Sequence, residues 1–344
     1  MTAATPVALA DLYRVFERLD EGESIALVPA ADGPELTSPP GEPEAWLGVT
    51  SSGSTGRPKL QWRRWKEISR GTVSKPGVIG WTWASPYRPW TFAGVQVAAQ
   101  AWASNSAIIT LGTNWAEAWA SLAENRVDAV SATPTYLDLL LQEEPHEGVA
   151  WEPRQITLGG EPLRSGVGER LRRRFPNSNF TVIYAMAELG VLLKTRRVDG
   201  WYEVESLRHA ADDWRVVDGG LEIMRGGKWH RTGDRVEVEG DLMRVIGRLD
   251  QVANVAGTKV SLLEVTELAE QVPGVRRAAA VAEQNPVTGE IVCLKYAVEP
   301  GWEGAAVLES LQRTLRERLR KEAWPRKWVE ETVGPVQNAK RAVR

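Results

Sequence analysis

The sequence predicts an α/β fold in which a large N-terminal domain with mostly parallel sheets flanked by helices precedes a small α+β C-terminal domain. From residue 46 to about residue 250, short β-rich runs alternate with helix-length segments, which is typical of parallel strands joined by crossover helices. Beyond residue 250, two helix-length segments enclose two strand-length runs. A chain of 344 residues suggests about two domains, which we expect at residues 1–250 and 251–344.

The elements of the N-terminal domain follow in order. Residues 29–45, rich in Pro, Gly and acidic residues, predict an irregular connection. The predicted strands are Trp46–Thr50, Ala107–Leu111, Ala129–Ala132, Gln155–Leu158 and Phe180–Tyr184. The predicted helices are Trp115–Asn125, Pro134–Gln142 and Gly166–Phe175.

The character of the chain changes after residue 200. Short strands are predicted at Leu221–Met224, Arg235–Glu239 and Leu242–Ile246, and residues 238–242 supply a hairpin-like turn. The C-terminal unit is predicted to contain helix Leu262–Gln271, strand Ala278–Glu283, strand Ile291–Val298 and helix Ala305–Lys321.

Composition is that of a soluble globular protein, with 25% charged and 43% hydrophobic residues. The net charge of −3 gives no reason to expect a nucleic-acid or membrane-surface partner. The basic runs at residues 170–174 and 313–320 fit solvated helix faces better. Since the sequence has neither a signal-like start nor an apolar run of spanning length, we expect a cytoplasmic protein.

The single cysteine, Cys293, excludes an internal disulfide framework and a multi-cysteine metal site. It lies in a strand-like run, where we expect it to pack in the core and not to act as a nucleophile. The chain has 16 tryptophans. Core or surface packing is the expected role for any one of them, and lining a pocket for an apolar or aromatic substrate is the alternative for some.

Residues 50–59, Thr-Ser-Ser-Gly-Ser-Thr-Gly-Arg-Pro-Lys, read as a phosphate-binding loop. Glycines and small hydroxyl residues after a strand let backbone N–H groups converge on phosphate oxygens. Pro58 and Leu60 stand where a Walker loop needs glycine and a hydroxyl residue, so the loop is not of that type. Taken alone, it could equally be a Ser/Gly turn.

Further motifs follow in a fixed order. They are Gly159-Gly-Glu-Pro-Leu163, Tyr184-Ala-Met-Ala-Glu188, His230-Arg-Thr-Gly-Asp234, Gly247-Arg-Leu-Asp250, Gly257-Thr-Lys-Val260 with Glu264, and Pro335-Val-Gln-Asn-Ala-Lys340. Together with the loop, this series resembles the adenylate-forming (AMP-binding) superfamily of acyl-CoA synthetases, peptide-synthetase adenylation domains and luciferases. The ordered set is far more specific than any single motif.

The resemblance implies a site for ATP, Mg²⁺ and coenzyme A. The implied nucleotide-binding residues are Ser52, Gly53, Ser54, Thr55, Gly56 and Lys59 in the loop and Gly160, Glu161 and Pro162 along the adenine. Lys59, Glu188 and Lys340 are the implied catalytic residues.

Individual roles follow from the same resemblance. Glu188 would hold Mg²⁺, because a hard cation prefers carboxylate oxygen. Asp234 would accept hydrogen bonds from the ribose, although it could instead be a turn residue after a glycine. Arg248 would contact ribose or phosphate, and Tyr184 would stack on adenine unless it is a core residue. Lys340 would stabilise the charge that develops as the adenylate forms.

The family's reaction has two steps. A carboxylate attacks the α-phosphorus of ATP and forms an acyl-adenylate, and a thiol then accepts the acyl group. Between the steps the C-terminal domain would rotate about a hinge at Asp250, and the loop at Gly257 would lie beside the pantetheine of coenzyme A.

The chain departs from the family pattern at several motif positions. Ala185 and Ala187 replace a glycine and a threonine, Asn254 replaces a common lysine, and Ala339 replaces the glycine before Lys340. Only about 50 residues precede the loop. Short members of this kind resemble the o-succinylbenzoate–CoA ligases of menaquinone synthesis, which makes that acid the specific expectation.

The acid pocket also departs from the pattern. Residues 86–94 correspond to the segment where many members carry a pocket histidine, and they contain none. Trp90 and Phe92 would border the pocket instead, with Gly159 and Ala185. Core packing is the alternative role for both aromatic residues.

Three functional hypotheses stay open at this stage. The first is an acyl-CoA ligase that acts on a small carboxylic acid as a monomer or homodimer. The second is an acyl- or aminoacyl-adenylating enzyme that loads a carrier protein. The third is a degenerate nucleotide-binding protein without catalysis, which is disfavoured because Lys59, Glu188, Asp234, Arg248 and Lys340 are all present.

Overall fold

A computed structural model describes residues 1–41, 44–51, 58–72, 76–145, 150–249, 252–299 and 301–331. The chain forms two compact units. Unit 1 comprises residues 1–213, 225–227 and 238–244, and unit 2 comprises residues 214–224, 228–237 and the described residues from 245 onwards. Compactness thus assigns residues 214–224 and 228–237 to the second unit, whereas the sequence prediction assigns residues 1–250 to the first domain. Asp250 lies outside the described residues, so the hinge stays a prediction.

The elements alternate as expected for an α/β protein. The helices are α1 (Leu12–Asp20), α2 (Trp65–Gly71), α3 (Phe92–Ala103), α4 (Trp115–Glu124), α5 (Pro134–Gln142), α6 (Ser165–Arg174), α7 (Leu262–Glu270) and α8 (Gly304–Arg318). Short 3-10 helices lie at Leu9–Asp11, Pro76–Val78, Val204–His209 and Lys321–Ala323.

The strands are β1 (Thr2–Ala4), β2 (Ile25–Leu27), β3 (Trp46–Ser51), β4 (Lys59–Arg64), β5 (Thr82–Ser85), β6 (Ala107–Thr110), β7 (Ala129–Ala132), β8 (Gln155–Gly159), β9 (Asn179–Met186), β10 (Gly190–Thr195), β11 (Trp201–Glu203), β12 (Asp213–Val217), β13 (Gly220–Arg225), β14 (Lys228–Glu239), β15 (Leu242–Arg248), β16 (Val252–Val255), β17 (Thr258–Ser261), β18 (Val275–Asn285), β19 (Gly289–Val298) and β20 (Lys327–Glu330).

Two sheets organise unit 1. The first has the order β1-β2-β3-β4, and its last pair is an antiparallel hairpin in which Ser51 lies opposite Lys59. The second has the order β10-β9-β8-β7-β5-β6. Strands β5 to β9 run parallel, and β10 runs antiparallel at the edge. The predicted, mostly parallel α/β sheet is therefore confirmed.

Two further sheets follow along the chain. A five-stranded sheet has the order β11-β15-β14-β13-β12, and a second has the order β17-β16-β19-β18 with β20 parallel to β19. The long hairpin of β18 and β19 packs with α7 and α8 around a core that includes Val265, Leu294, Leu311 and Leu315. This is the small α+β unit that the sequence predicts.

Local signals begin several of these helices. Thr133 caps α5 by accepting a hydrogen bond from the Tyr136 backbone N–H at 3.1 Å, and Pro134 occupies the first helical position, where its missing N–H costs nothing. Ser261 caps α7 in the same way through the N–H of Glu264 at 3.3 Å. These caps explain why the predicted starts of both helices coincide with the observed ones.

Several aromatic residues pack in the core. Phe16 stacks on Trp65 with ring centroids 4.9 Å apart, and Trp119 meets Trp151 edge-on at 5.8 Å.

Cys293 is buried in β19, so its predicted packing role is confirmed. Burial and the neighbouring Glu283 carboxyl raise the pKa of its thiol to about 11. Among the described helices, none combines the length and apolar character needed to cross a membrane.

Tyr13 makes the stability of the protein sensitive to alkaline pH. Its hydroxyl donates to the Ser106 carbonyl at 2.7 Å, and burial raises its pKa from 10.0 to about 12. A phenol with a raised pKa stabilises the folded state below pH 10, and this contribution is lost as the pH rises towards 12. We expect the difference in unfolding free energy between wild type and Tyr13→Phe to fall by about 1 kcal/mol between pH 8 and pH 11.

Urea unfolding at the two pH values measures this difference. Because Tyr87, Tyr136 and Tyr202 also have raised pKa values, the comparison with Tyr13→Phe isolates one hydroxyl. If the difference in unfolding free energy between wild type and Tyr13→Phe does not change with pH, the raised pKa of Tyr13 is contradicted.

Candidate active site

The parallel sheet of unit 1 has a topological switch point between β5 and β7. The chain leaves β5 towards β6 on one side of the sheet order, and it leaves β7 towards β8 on the other. Ligands of open α/β sheets bind in the crevice at the carboxyl ends of such strands. The Ser85 hydroxyl donates to the Ser131 carbonyl at 2.6 Å and ties the ends of β5 and β7 together.

The predicted adenine segment lies at this edge. Gly159 ends β8, and Gly160 has a φ of +84°, a backbone conformation that favours glycine. The Tyr87 hydroxyl, which follows β5, donates to the Gly159 carbonyl at 2.8 Å. Burial, with a smaller contribution from the negative charge of Glu161, raises the pKa of Tyr87.

Glu161 has a structural role in addition to its predicted one. Its Oε1 accepts a hydrogen bond from the Thr135 backbone N–H at 2.5 Å, in the first turn of α5. A carboxylate at a helix N-terminus pairs with unsatisfied N–H groups and with the positive end of the helix dipole. Gly160, Glu161 and Pro162 thus follow β8 at the switch-point edge, and their contact with adenine stays a prediction.

Glu188 lies in a three-residue turn that joins β9 to β10 at the same end of the sheet. Its side chain is exposed, whereas its backbone carbonyl accepts a hydrogen bond from Nη1 of the buried Arg63 at 2.7 Å. The next carbonyl, that of Leu189, accepts from Nη1 of Arg225 at 2.5 Å. Two guanidinium groups therefore hold consecutive carbonyls of this turn.

A single exposed carboxylate fits the Mg²⁺ role predicted for Glu188. Mg²⁺ is usually held by one or two carboxylates together with substrate phosphates. No group of three or more His, Cys, Asp or Glu residues suited to a metal occurs within the described ranges. The described residues therefore do not form a metal site made of protein ligands alone.

In the sequence, the predicted phosphate loop lies between the paired strands β3 and β4. Lys59 is the first residue of β4 and is exposed, and the Ser51 hydroxyl donates to the Lys59 carbonyl at 3.4 Å. Residues 52–57, which include the predicted Ser52, Gly53, Ser54, Thr55 and Gly56, lie outside the described residues. Their contact with phosphate stays a prediction.

The predicted acid-pocket residues differ in their surroundings. Ala185 and Trp90 are half-buried and pack, with Tyr87, against a core cluster of unit 1. The Trp90 carbonyl accepts from the Thr50 N–H at 2.7 Å, which joins this segment to the strand before the phosphate loop. Phe92 is only 8% exposed and belongs to the core cluster, so core packing accounts for it.

Tyr184 lies in β9 and is half-buried. Its hydroxyl contacts Sδ of Met186 at 3.9 Å, two residues further along the same face of the strand. Stacking of Tyr184 on adenine stays a prediction.

Asp234 and Arg248 meet within unit 2. Asp234 is 8% exposed and lies inside the long strand β14, so the alternative that it is only a turn residue is wrong. It accepts a hydrogen bond from Nη1 of Arg248 at 3.3 Å. The preceding residue, Gly233, has a φ of +75°, a conformation that favours glycine, and a Cβ there would lie 2.8 Å from Nη2 of Arg248.

The predicted coenzyme A residue, Gly257, lies in a two-residue turn between β16 and β17. Ala256 and Gly257 have φ values of +50° and +82°, as a type I′ hairpin turn requires. Alanine is an unusual residue at such a position, because its Cβ crowds the backbone there. Lys340, like Asp250, lies outside the described residues.

Two residues of this site, Arg63 and Tyr87, are not among the site residues predicted from the sequence. Arg63 is one of two consecutive arginines between Trp62 and Trp65. Nothing in the sequence distinguishes the buried Arg63 from the exposed Arg64. Tyr87 follows β5, a strand whose four residues the sequence analysis does not predict. A prediction of β5 would have placed Tyr87 at the carboxyl edge of the sheet.

Comparison with known proteins places the chain in a family. Residues 14–222 match the model of the AMP-binding enzyme family. The chain is 44% identical over 104 residues to a salicylyl-CoA synthase / salicylate adenylyltransferase of Streptomyces sp, covering 30% of this chain and 18% of that protein. It is 26% identical over 337 residues to a 2-hydroxy-7-methoxy-5-methyl-1-naphthoate–CoA ligase of Streptomyces carzinostaticus, covering 85% of this chain and 59% of that protein.

The fold agrees with this match. The crystal structure of the anthranilate CoA ligase AuaEII in complex with anthranoyl-AMP superposes with a TM-score of 0.68 at 15% identity, over 97% of this chain and 75% of that one. The chain spans less than two thirds of the length of each of the two curated relatives named above. Since the family model matches well over half of its residues, the chain belongs to the AMP-binding enzyme family.

Proposed function

We propose that this protein activates a carboxylic acid with ATP as the acyl-adenylate and then transfers the acyl group to coenzyme A. The observation that carries the proposal is the position of Tyr87, Gly160 and Glu188 at the carboxyl ends of the parallel strands, within the stretch that matches the family model. Motif order extends the proposal to Asp234, Arg248 and Lys340.

In the first step, a carboxylate oxygen of the acid bonds to the α-phosphorus of ATP. The bond between that phosphorus and the bridging oxygen breaks, and pyrophosphate leaves with the electron pair. Catalysis of such a transfer is mainly positioning and charge stabilisation. Lys59 would offset charge on the leaving phosphates, and Lys340 would do so at the reacting centre.

Glu188 would hold Mg²⁺ against the ATP phosphates. When bound, the ion supplies positive charge that offsets the negative charge of the phosphate oxygens. Asp234 would accept hydrogen bonds from the ribose hydroxyls, and its bond with Arg248 orients it for this contact.

In the second step, unit 2 would rotate about Asp250 and withdraw Lys340. The thiolate of coenzyme A then bonds to the acyl carbonyl carbon, the bond from that carbon to the phosphate oxygen breaks, and AMP leaves. The turn at Gly257 would lie beside the pantetheine.

The proposed acid class is an aromatic carboxylic acid. Two of the curated relatives are named for aryl acids, a salicylate and a naphthoate. Tyr87, Trp90 and Ala185, which pack against the same core cluster, would suit an aromatic ring. o-Succinylbenzoate, the acid expected in the sequence analysis, is also an aromatic acid and stays the specific proposal.

Pyrophosphate release with ATP and a panel of acids tests the proposal. The panel contains o-succinylbenzoate, salicylate, a hydroxynaphthoate and a straight-chain fatty acid, each with and without coenzyme A, and mass spectrometry identifies the product. We expect release only with aryl acids and an aryl-CoA product when coenzyme A is present.

Other outcomes distinguish the alternatives. Stoichiometric release with an acid, but no thioester with coenzyme A, would support loading of a carrier protein. Binding of ATP without release across the whole panel would overturn the enzymatic proposal in favour of a nucleotide-binding role.

A further inference from the structure

We propose that Arg63 is a positioning residue that holds the turn bearing Glu188 in the geometry needed for the metal–ATP complex. The inference rests on the proposed function of Glu188 and adds to it a residue that no motif of the sequence singles out. Arg63 lies in β4, the strand that begins at Lys59.

The burial of Arg63 calls for a physical reason. The residue is 8% exposed, and burial lowers the pKa of its guanidinium. A buried charge costs several kcal/mol of desolvation unless it is well paired. An apolar residue of similar volume would therefore suit a purely structural position at least as well.

The bonds of Arg63 point to the turn. Nη1 donates to the Glu188 carbonyl at 2.7 Å, and Nη2 donates to the partly exposed carboxylate of Glu67 at 3.2 Å. Nε is buried and has no hydrogen-bond partner among the described residues. The bond to the Glu188 carbonyl is thus the best-formed contact of a costly buried cation.

The turn itself is shaped around this guanidinium. Gly190 has a φ of +78°, and a Cβ there would lie 2.9 Å from Nη2 of Arg63. Arg225 holds the following carbonyl, that of Leu189, at 2.5 Å. Fixing these two carbonyls fixes the peptide planes on either side of Leu189, and the first of these planes starts at the Cα of Glu188. Arg63 thereby holds the backbone that carries the Glu188 carboxylate.

Strand periodicity links the same arginine to the phosphate loop. Residues 59, 61 and 63 share one face of β4, because side chains alternate along a strand. Lys59 ends the predicted phosphate loop, and Arg63 anchors the predicted metal turn. The rigid strand between them therefore sets the spacing between the two proposed groups.

The test measures metal-dependent nucleotide binding and not turnover. Isothermal titration gives the Kd of ATP with Mg²⁺ and with EDTA for wild type, Arg63→Met, Arg63→Lys and Glu188→Gln. We expect Arg63→Met to reduce the gain in affinity due to Mg²⁺ about 10- to 100-fold, the range for residues that orient metal ligands, and Arg63→Lys to restore part of it. Glu67→Gln is the matched control, because it removes the negative charge of the other partner of Arg63 and should leave the gain unchanged.

Hydrogen–deuterium exchange of the free protein supplies a second readout. Amides of residues 187–190 should exchange faster in Arg63→Met than in wild type, while the β18–β19 turn in unit 2 stays unchanged. Wild-type exchange in the turn, or an undiminished Mg²⁺ gain in Arg63→Met, would overturn the inference. If Glu188→Gln keeps the full Mg²⁺ gain while Arg63→Met still loosens the turn, the metal role of Glu188 itself fails.

Discussion

Lys340→Ala should slow adenylate formation about 100- to 1,000-fold, the cost of removing one preorganised donor from a developing charge, and should leave ATP affinity nearly unchanged. The reason is that the proposed contact of Lys340 exists fully only as the carboxylate attacks. Acid-dependent exchange of pyrophosphate into ATP measures the first step, and isothermal titration measures ATP binding.

Lys327→Ala is the matched control for this variant. The Lys327 ammonium pairs with Glu283 at 3.0 Å, which gives it a partner of its own within unit 2. We expect normal adenylation from it. Lys340→Ala should also convert a preformed aryl-adenylate to the thioester at nearly the wild-type rate, because Lys340 is proposed to leave the site before that step. Undiminished adenylation in Lys340→Ala would remove this lysine from the mechanism.

Gly94→Ala should destabilise the protein by about 2 kcal/mol or more, through overpacking against backbone. A Cβ on Gly94 would lie 2.2 Å from the Arg88 carbonyl oxygen, which cannot rotate away. Relief requires a shift of residues 88–91, including Trp90 and the Thr91 cap, whose side chain accepts from the Gly94 N–H at 3.2 Å. Urea unfolding measures the loss.

Gly166→Ala supplies the comparison, because it places the same methyl group in the first turn of another helix. There a Cβ would meet only the flexible end of Arg170 at 3.5 Å, and alanine should stabilise α6 by up to about 1 kcal/mol. The same shift of residues 88–91 would move Trp90, which is proposed to border the acid pocket. At a temperature where Gly94→Ala stays folded, we therefore also expect a raised KM for the acid and little change in the KM for ATP. Equal unfolding midpoints for the two variants would show that the segment before α3 yields easily.

The elements predicted best from sequence are those with local signals. Strand β7 is a run of four apolar or small residues, and α5 begins at a proline that follows a capping threonine, so the predicted bounds of both match the observed ones. Strand β4 was not predicted, because Lys59–Arg64 carries three cations and no clean alternation. It forms a strand because it pairs with β3 through backbone hydrogen bonds. Such a pairing cannot be predicted from a short stretch of sequence alone.

The site divides along the same line. Motif order identifies Glu188, Asp234 and Arg248 from sequence, since each lies within a recognisable pattern of neighbours. The burial of Asp234 within β14 could not be predicted, because the preceding glycine suggests a turn. Arg63 and Arg225 donate hydrogen bonds to backbone carbonyls. Because every residue has such a carbonyl, the sequence does not indicate which one an arginine will bind.

The buried thiol of Cys293 has a practical consequence for measuring the proposed rotation of unit 2. Thiol reagents react with the thiolate, which is the nucleophile, and a buried thiol whose pKa is about 11 presents almost no thiolate near neutral pH. Cysteines introduced at Val7 in unit 1 and at Val287 in unit 2, which are 86% and 89% exposed, would therefore take up a pair of dyes selectively. Energy transfer between the dyes would then follow the motion during turnover in a protein whose own cysteine is left in place.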